Sequence, residues 1–133
     1  MDKDEKIKYW IEISDYDLGT ADAMNQTGRF LYVGFMCHQA IEKIIKAFYV
    51  FIHNDTPPYS HNLTFLAEKS GIYDGFSEQH KDFMDYLEPL NIKARYPGYK
   101  EYLKKIVDEK NAQDILSQTK ELHQWIKQKL LKS

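Results

Sequence analysis

The stretch from Phe30 to Ile52, FLYVGFMCHQAIEKIIKAFYVFI, constrains this chain more than any other. It has no proline, its one glycine is Gly34, and its apolar residues recur at helical spacing. At ~100° per residue, Phe30, Val33, Cys37, Ile41, Ile44, Ile45, Phe48 and Ile52 share one face, as a core-facing helix requires. The opposite face begins apolar with Tyr32, Phe35 and Met36, then turns polar with Gln39, Glu42, Lys43 and Lys46. A helix that is apolar nearly all round over its first turns must be covered on both sides, by other helices or by a second subunit. The expectation is a central helix, with Tyr32, Phe35 and Met36 as the candidate homodimer contact.

The rest of the chain supplies helices to surround it. Ile7, Trp10, Ile11, Ser14, Leu18 and Ala21 follow an i, i+3, i+4 pattern, with Asp2 or Asp4 available as N-cap. Asp15, Asp17 and Asp22 fall off that stripe at spacings that do not converge, which reads as a solvated acidic face. Asn25-Gln26-Thr27-Gly28 turns the chain back into an antiparallel helical hairpin. Pro57-Pro58 ends the central helix region. A third helix is expected from Ser60, carrying Leu63, Leu66 and Ala67 until Gly71. A fourth is expected from Ser77, burying Phe83, Tyr86, Leu87 and Leu90, with Pro89 ending or kinking it. Residues 91–99 read as a loop around Pro97-Gly98. A last helix, capped by Asp108 or Asn111, should bury Ala112, Ile115, Leu116, Thr119, Leu122 or His123, Ile126 and Leu130. No strand pattern, repeat or linker interrupts residues 1–133, so the class is all-α: an up-and-down bundle of four to five helices in a single domain.

Charge and cysteine usage exclude several functions. A formal net charge of −2 is not that of a general polyanion binder. The single cysteine, Cys37, lies on the apolar face, where a thiol acts as a small buried hydrophobe. No segment reads as a signal peptide or a membrane span, so the expectation is a soluble cytoplasmic protein. The five histidines lack metal-ligand spacing, and no metal or cofactor is expected. No glycine-rich phosphate loop or nucleophile elbow is present.

Trp10, Asp17-Leu18 and Ala21, then His38-Gln39-Ala40-x-Glu42-Lys43-x-x-Lys46-Ala47, Ser60-His61-x-Leu63 and Arg95-Tyr96-Pro97, run in an order that resembles the HEPN domain family. The resemblance covers nearly the whole chain. It implies a helical bundle, commonly a homodimer, in a family whose members are often encoded beside a minimal nucleotidyltransferase. Other members are metal-independent ribonucleases of toxin–antitoxin or anti-phage systems. The ribonuclease motif places a histidine after an arginine and four to six intervening residues. Imidazole moves a proton near neutrality while guanidinium steadies the phosphate. Arg95 matches the arginine, but the corresponding positions hold Lys100, Glu101 and Tyr102, and lysine and tyrosine titrate far above neutrality.

Each candidate has a functional and a structural reading. Arg95, flanked by Tyr96 and Tyr99, offers a fork for phosphate and rings for base stacking; structurally it would pair with a carboxylate such as Glu42. Glu42, Lys43 and Lys46 would line a nucleotide pocket or form the wet side of an ordinary helix, and the wet side is the reading preferred. His38 reads as a core histidine satisfied by one hydrogen bond; His61, near a helix start, joins the ligand-binding candidates, its structural reading being a donor to a carboxylate or carbonyl. The leading expectation is a dimeric domain that binds nucleotide, RNA or a partner nucleotidyltransferase without cleaving RNA. The alternatives are a ribonuclease using Arg95 with His61 or His38, and a dimerisation scaffold.

Overall fold

A computed structural model describes residues 1–91, 101–102, 104–105 and 107–131. Its principal helices are α1 (Lys3–Gln26), α2 (Phe30–His53), α3 (Leu63–Ser70), α4 (Glu78–Leu87) and α5 (Glu109–Leu131). Two 3-10 turns, Ile72–Gly75 and Glu88–Leu90, follow α3 and α4, and no strand occurs among the described residues. The all-α bundle expected from the hydrophobic periodicity is what forms. The loop anticipated at residues 91–99, with Arg95, Tyr96 and Tyr99, lies outside the described residues apart from Asn91.

Local chemistry sets the helix ends. The Asp2 carboxylate accepts from the Glu5 amide at 2.8 Å while the Glu5 side chain accepts from the Asp2 amide at 3.3 Å, a reciprocal cap that starts α1. Gly28 takes φ +75, letting the chain reverse from α1 into α2 within three residues. Asn62, not Ser60, caps α3, accepting from the Phe65 amide at 2.9 Å; the Ser60 hydroxyl instead accepts from the Asn62 amide. Ser77 caps α4 as expected. Between the two candidates for α5, Asp108 takes the role, accepting from the Asn111 amide at 2.9 Å. Pro89 converts the end of α4 into the second 3-10 turn, since its ring cannot follow an α-helical turn.

α2 is the centre of the bundle. α1 lies along one flank, and α3 and α5 cover others. Val33, Cys37, Ile41, Ile44 and Ile45 are fully buried, with Phe30 and Phe48 packed at the rim. Small residues let the helices close: Ala21 and Ala40 are fully buried, and the Ser14 hydroxyl donates across to the Ala40 carbonyl at 2.6 Å. Gly34 admits Leu90, because a Cβ there would stand 3.1 Å from Leu90 Cδ1.

Four expectations about burial are corrected. Ile52 is 50% exposed, lying in the last turn of α2, and Tyr86 is 43% exposed, lining a groove against α5. Asp15 and Asp22 of α1 keep partly solvated carboxylates, 44% and 40% exposed, as expected of an acidic face, whereas Asp17 at 14% does not; each is tied to a neighbouring helix. Asp17 accepts from Lys43 of α2 at 3.2 Å, Asp22 from Lys120 of α5 at 2.9 Å, and Asp15 from Lys127 of α5 at 2.9 Å. The largest correction concerns the polar strip of α2. Gln39, Glu42 and Lys46 are buried, Glu42 with only 1% exposure, so this strip is not the wet side of a helix.

A candidate site built on the buried polar strip of α2

A carboxylate in an apolar interior requires partners for both oxygens. Glu42 has them. Its Oε2 accepts from Lys46 Nζ at 3.0 Å, one helical turn on, and its Oε1 accepts from His61 Nδ1 at 2.9 Å, just ahead of α3. Burial pushes the Glu42 carboxyl up, but the His61 hydrogen bond and the Lys46 and Lys43 charges outweigh it and hold the group below the usual carboxylate range. An ionised carboxylate accepts only, so His61 carries a proton on Nδ1. Lys46 is 7% exposed and also lies over the Trp10 ring, 5.5 Å from its centroid, which returns part of what its ammonium loses in hydration.

A second carboxylate repeats the arrangement beside it. His38 is fully buried, and its Nε2 donates to Glu88 Oε2 at 3.1 Å. Glu88 Oε1 accepts from the Leu63 amide at 2.8 Å, an amide at the start of α3 with no acceptor inside its own helix. On the other flank, Lys43 Nζ donates to Gln39 Oε1 at 2.7 Å as well as to Asp17.

Of the candidates read from sequence, Glu42, Lys46 and His61 therefore meet in one cluster. His38 joins the same region through Glu88, and Lys43 lies on the α1 side. Both His38 and His61 have the structural partners anticipated for them. Arg95, Tyr96 and Tyr99 are outside the described residues. Tyr32 is 40% exposed and Phe35 and Met36 are half-buried, with Met36 packed against the core. Sequence reasoning missed Glu88, which is 50 positions from His38 and has no periodic relation to it. It also missed Trp10 as the cover of Lys46. The one available signal was a carboxylate directly before a helix-ending proline.

Chemically, the cluster holds charge rather than moving it. Glu42 is a weak base, since its ionised form is favoured. The Cys37 thiol is pushed up to about 12, chiefly by burial, so it is no nucleophile at neutral pH. No group of three or more His, Cys, Asp or Glu side chains among the described residues is placed to hold a metal ion. Grooves open elsewhere among the described residues, two of them of similar size. One, of about 590 Å³, runs between α4 and α5 and is lined by Asp82, Tyr86, Asp114 and Glu121. The other, of about 590 Å³, lies at the start of α2 beside Arg29, Tyr32, Lys104 and Asp108. No helix among the described residues is long and apolar enough to cross a membrane.

Comparison with known proteins agrees with the helical fold. The crystal structure of TT1696 from Thermus thermophilus superimposes with a TM-score of 0.78 over 93% of this chain and 98% of that one. At 16% identity this likeness speaks to the fold alone. No curated protein matches the chain. The model of the HEPN domain matches residues 7–130, and on that match, which spans nearly its whole length, the chain belongs to the HEPN domain family.

Proposed function

We propose that this HEPN domain is a dimeric binding module for nucleotide or RNA, or for a nucleotidyltransferase that handles them, and that it does not cleave RNA itself. The observation that carries this reading is the disposition of the imidazoles. His38 is committed to Glu88, His61 to Glu42, His53 to the Lys69 carbonyl and His80 to the Ser77 amide, while His123 lies buried against Asp15. None of the five stands where the family's ribonuclease motif needs a proton carrier after Arg95. The segment around Arg95 still carries Lys93, Tyr96, Tyr99 and Lys100, a grouping of cations and rings suited to a phosphate-bearing ligand. Tyr32, exposed on α2, supports a contact between two copies.

A ribonuclease remains the second reading, favoured by one contact. A carboxylate behind His61 orients its ring, as the partner of a general base does in acid–base catalysis. The test uses the purified protein with labelled single-stranded RNA and with ATP, in chelator. The proposal expects saturable binding, weakened in Arg95→Ala, with no cleavage above background and a dimer by sedimentation. Cleavage abolished by both Arg95→Ala and His61→Ala would replace it with the ribonuclease. Absence of any binding, with a large loss of melting temperature in Arg95→Ala, would make Arg95 a structural residue.

A further inference from the structure

Glu88 has no part in that function as stated, yet it ties together three elements of the bundle. It stands where α4 passes into the 3-10 turn, and its two oxygens hold the Leu63 amide of α3 and His38 of α2. The orientation of His38 is itself fixed from α1. Asp17 accepts from Lys43, and Lys43 also donates to Gln39 Oε1, which leaves the Gln39 amide nitrogen facing His38 Nδ1 at 3.5 Å. His38 Nδ1 is thereby the accepting nitrogen, its Nε2 carries the proton, and that proton points at Glu88. Two residues before Leu63 stands His61, whose own ring is held by Glu42. The short approach to α3 is thus anchored twice, by carboxylates from two different elements.

We infer that Glu88 is a positioning residue for His61: by fixing the Leu63 amide against α2 through His38, it keeps the His61 imidazole on Glu42 and so sets the face His61 presents. This rests on the reading of His61 as part of the ligand site. Without Glu88 the first turn of α3 loses a charge-assisted hydrogen bond, and of the two carboxylate anchors only Glu42 is left. The His61 ring then samples orientations in which Nδ1 no longer donates.

The experiment records imidazole nitrogen spectra of the ¹⁵N-labelled full chain, which report which nitrogen of His61 carries the proton. RNA and ATP binding are measured on the same samples. In the wild type His61 should show a protonated Nδ1. In Glu88→Ala that signature should be lost while the His53 and His123 signals stay in place, and affinity for the RNA probe should fall about tenfold. Glu88→Gln keeps a carbonyl for the Leu63 amide but turns its NH2 toward the His38 Nε2 proton, so it should recover the His61 signature only in part. Should Glu88→Ala not fold, Glu88→Asp, one methylene too short to reach both partners, takes its place with the same expectation. An unchanged His61 signature in the truncated variant overturns the inference, and so does loss of the His53 and His123 signals alongside it. If the wild type binds neither probe, the functional reading fails while the His61 spectra still decide the role of Glu88.

Discussion

Truncating Glu42 to alanine is the perturbation that most directly probes what holds α2 in place. The change removes the partner of Lys46, whose ammonium is 7% exposed, and the acceptor of His61. Breaking a buried ion pair from one side costs about 3–5 kcal/mol, because the surviving charge stays desolvated. The Trp10 ring at 5.5 Å returns about 1 kcal/mol to the stranded ammonium. The net loss expected is therefore about 3 kcal/mol, a fall of roughly 10 °C in melting temperature for a domain of this size. Adding Lys46→Met should recover at least half of that, since no charge is then left in the interior. Thermal and urea unfolding of wild type, Glu42→Ala, Lys46→Met and the double variant complete the cycle. A single-variant melting temperature within two degrees of wild type, or a double variant no better than Glu42→Ala, would refute the reasoning.

The same carboxylate predicts a pH dependence whose sign follows from its environment. Burial raises the Glu42 pKa, but His61 and Lys46 prevail and the folded value lies below the unfolded one. The unfolded state then binds more protons across the interval between the two values. The contribution is complete above the ordinary carboxylate range and is lost as pH falls through the depressed folded value. Glu42→Ala should accordingly show a shallower loss of stability on the acid side than the wild type.

Other consequences are as direct. Gly34→Ala gains helix propensity but drives a methyl to 3.1 Å from Leu90 Cδ1 and 3.4 Å from its Cβ, in a side chain only 2% exposed; a net destabilisation of about 1 kcal/mol is expected in urea melts. Cys37 should resist a disulfide thiol reagent at pH 8 in the native protein and react at once after denaturation, since burial holds its thiol near 12; fast native labelling would contradict this. Burial lowers the pKa values of both His80 and His123 below 6.5, so the unfolded state takes up their protons first. Stability from these two should be intact above that value and decline as pH falls through the folded ones. The urea midpoint should drop between about pH 7.5 and 5.5, and drop less in His80→Gln.

Apolar periodicity was sufficient to read the bundle. The eight positions assigned to the inner face of α2 are buried or packed at its rim, except Ile52, which is half-exposed in the last turn. Both Leu122 and His123 proved buried, because the apolar stripe of α5 is wide enough to take in the two positions weighed against each other. The polar strip was misjudged for a physical reason. Periodicity ranks a residue by its own cost of burial, whereas Glu42 and Lys46 are buried together, and the partner that completes them, His61, comes from a different helix approach. Glu88 was harder still, since its role depends on a corner formed only after α4 docks. The partners of Asp15 and Asp22 were out of reach for the same reason: the lysines that claim them are in α5, about a hundred positions away in the chain.

The burial of that strip changes which residues can meet a ligand. Lys46 and Glu42 neutralise each other inside the bundle, and drawing Lys46 out to a phosphate would strand a carboxylate with 1% exposure. That exchange gains one ion pair at a wet surface and gives up one in the interior, which is unfavourable by the same few kcal/mol that set the cost of Glu42→Ala. Lys43 is similarly engaged by Asp17 and Gln39, though its side chain is 17% exposed. His61, at 29%, is the member of the cluster nearest to solvent, and Tyr59 beside it is 93% exposed with its ring 5.7 Å from the imidazole. On the function we propose, phosphate recognition would fall to cations outside the strip, and Arg95→Ala is the variant that tests it. What α2 would contribute to such a site is the placement of His61, whose Nδ1 stands 2.9 Å from Glu42 Oε1.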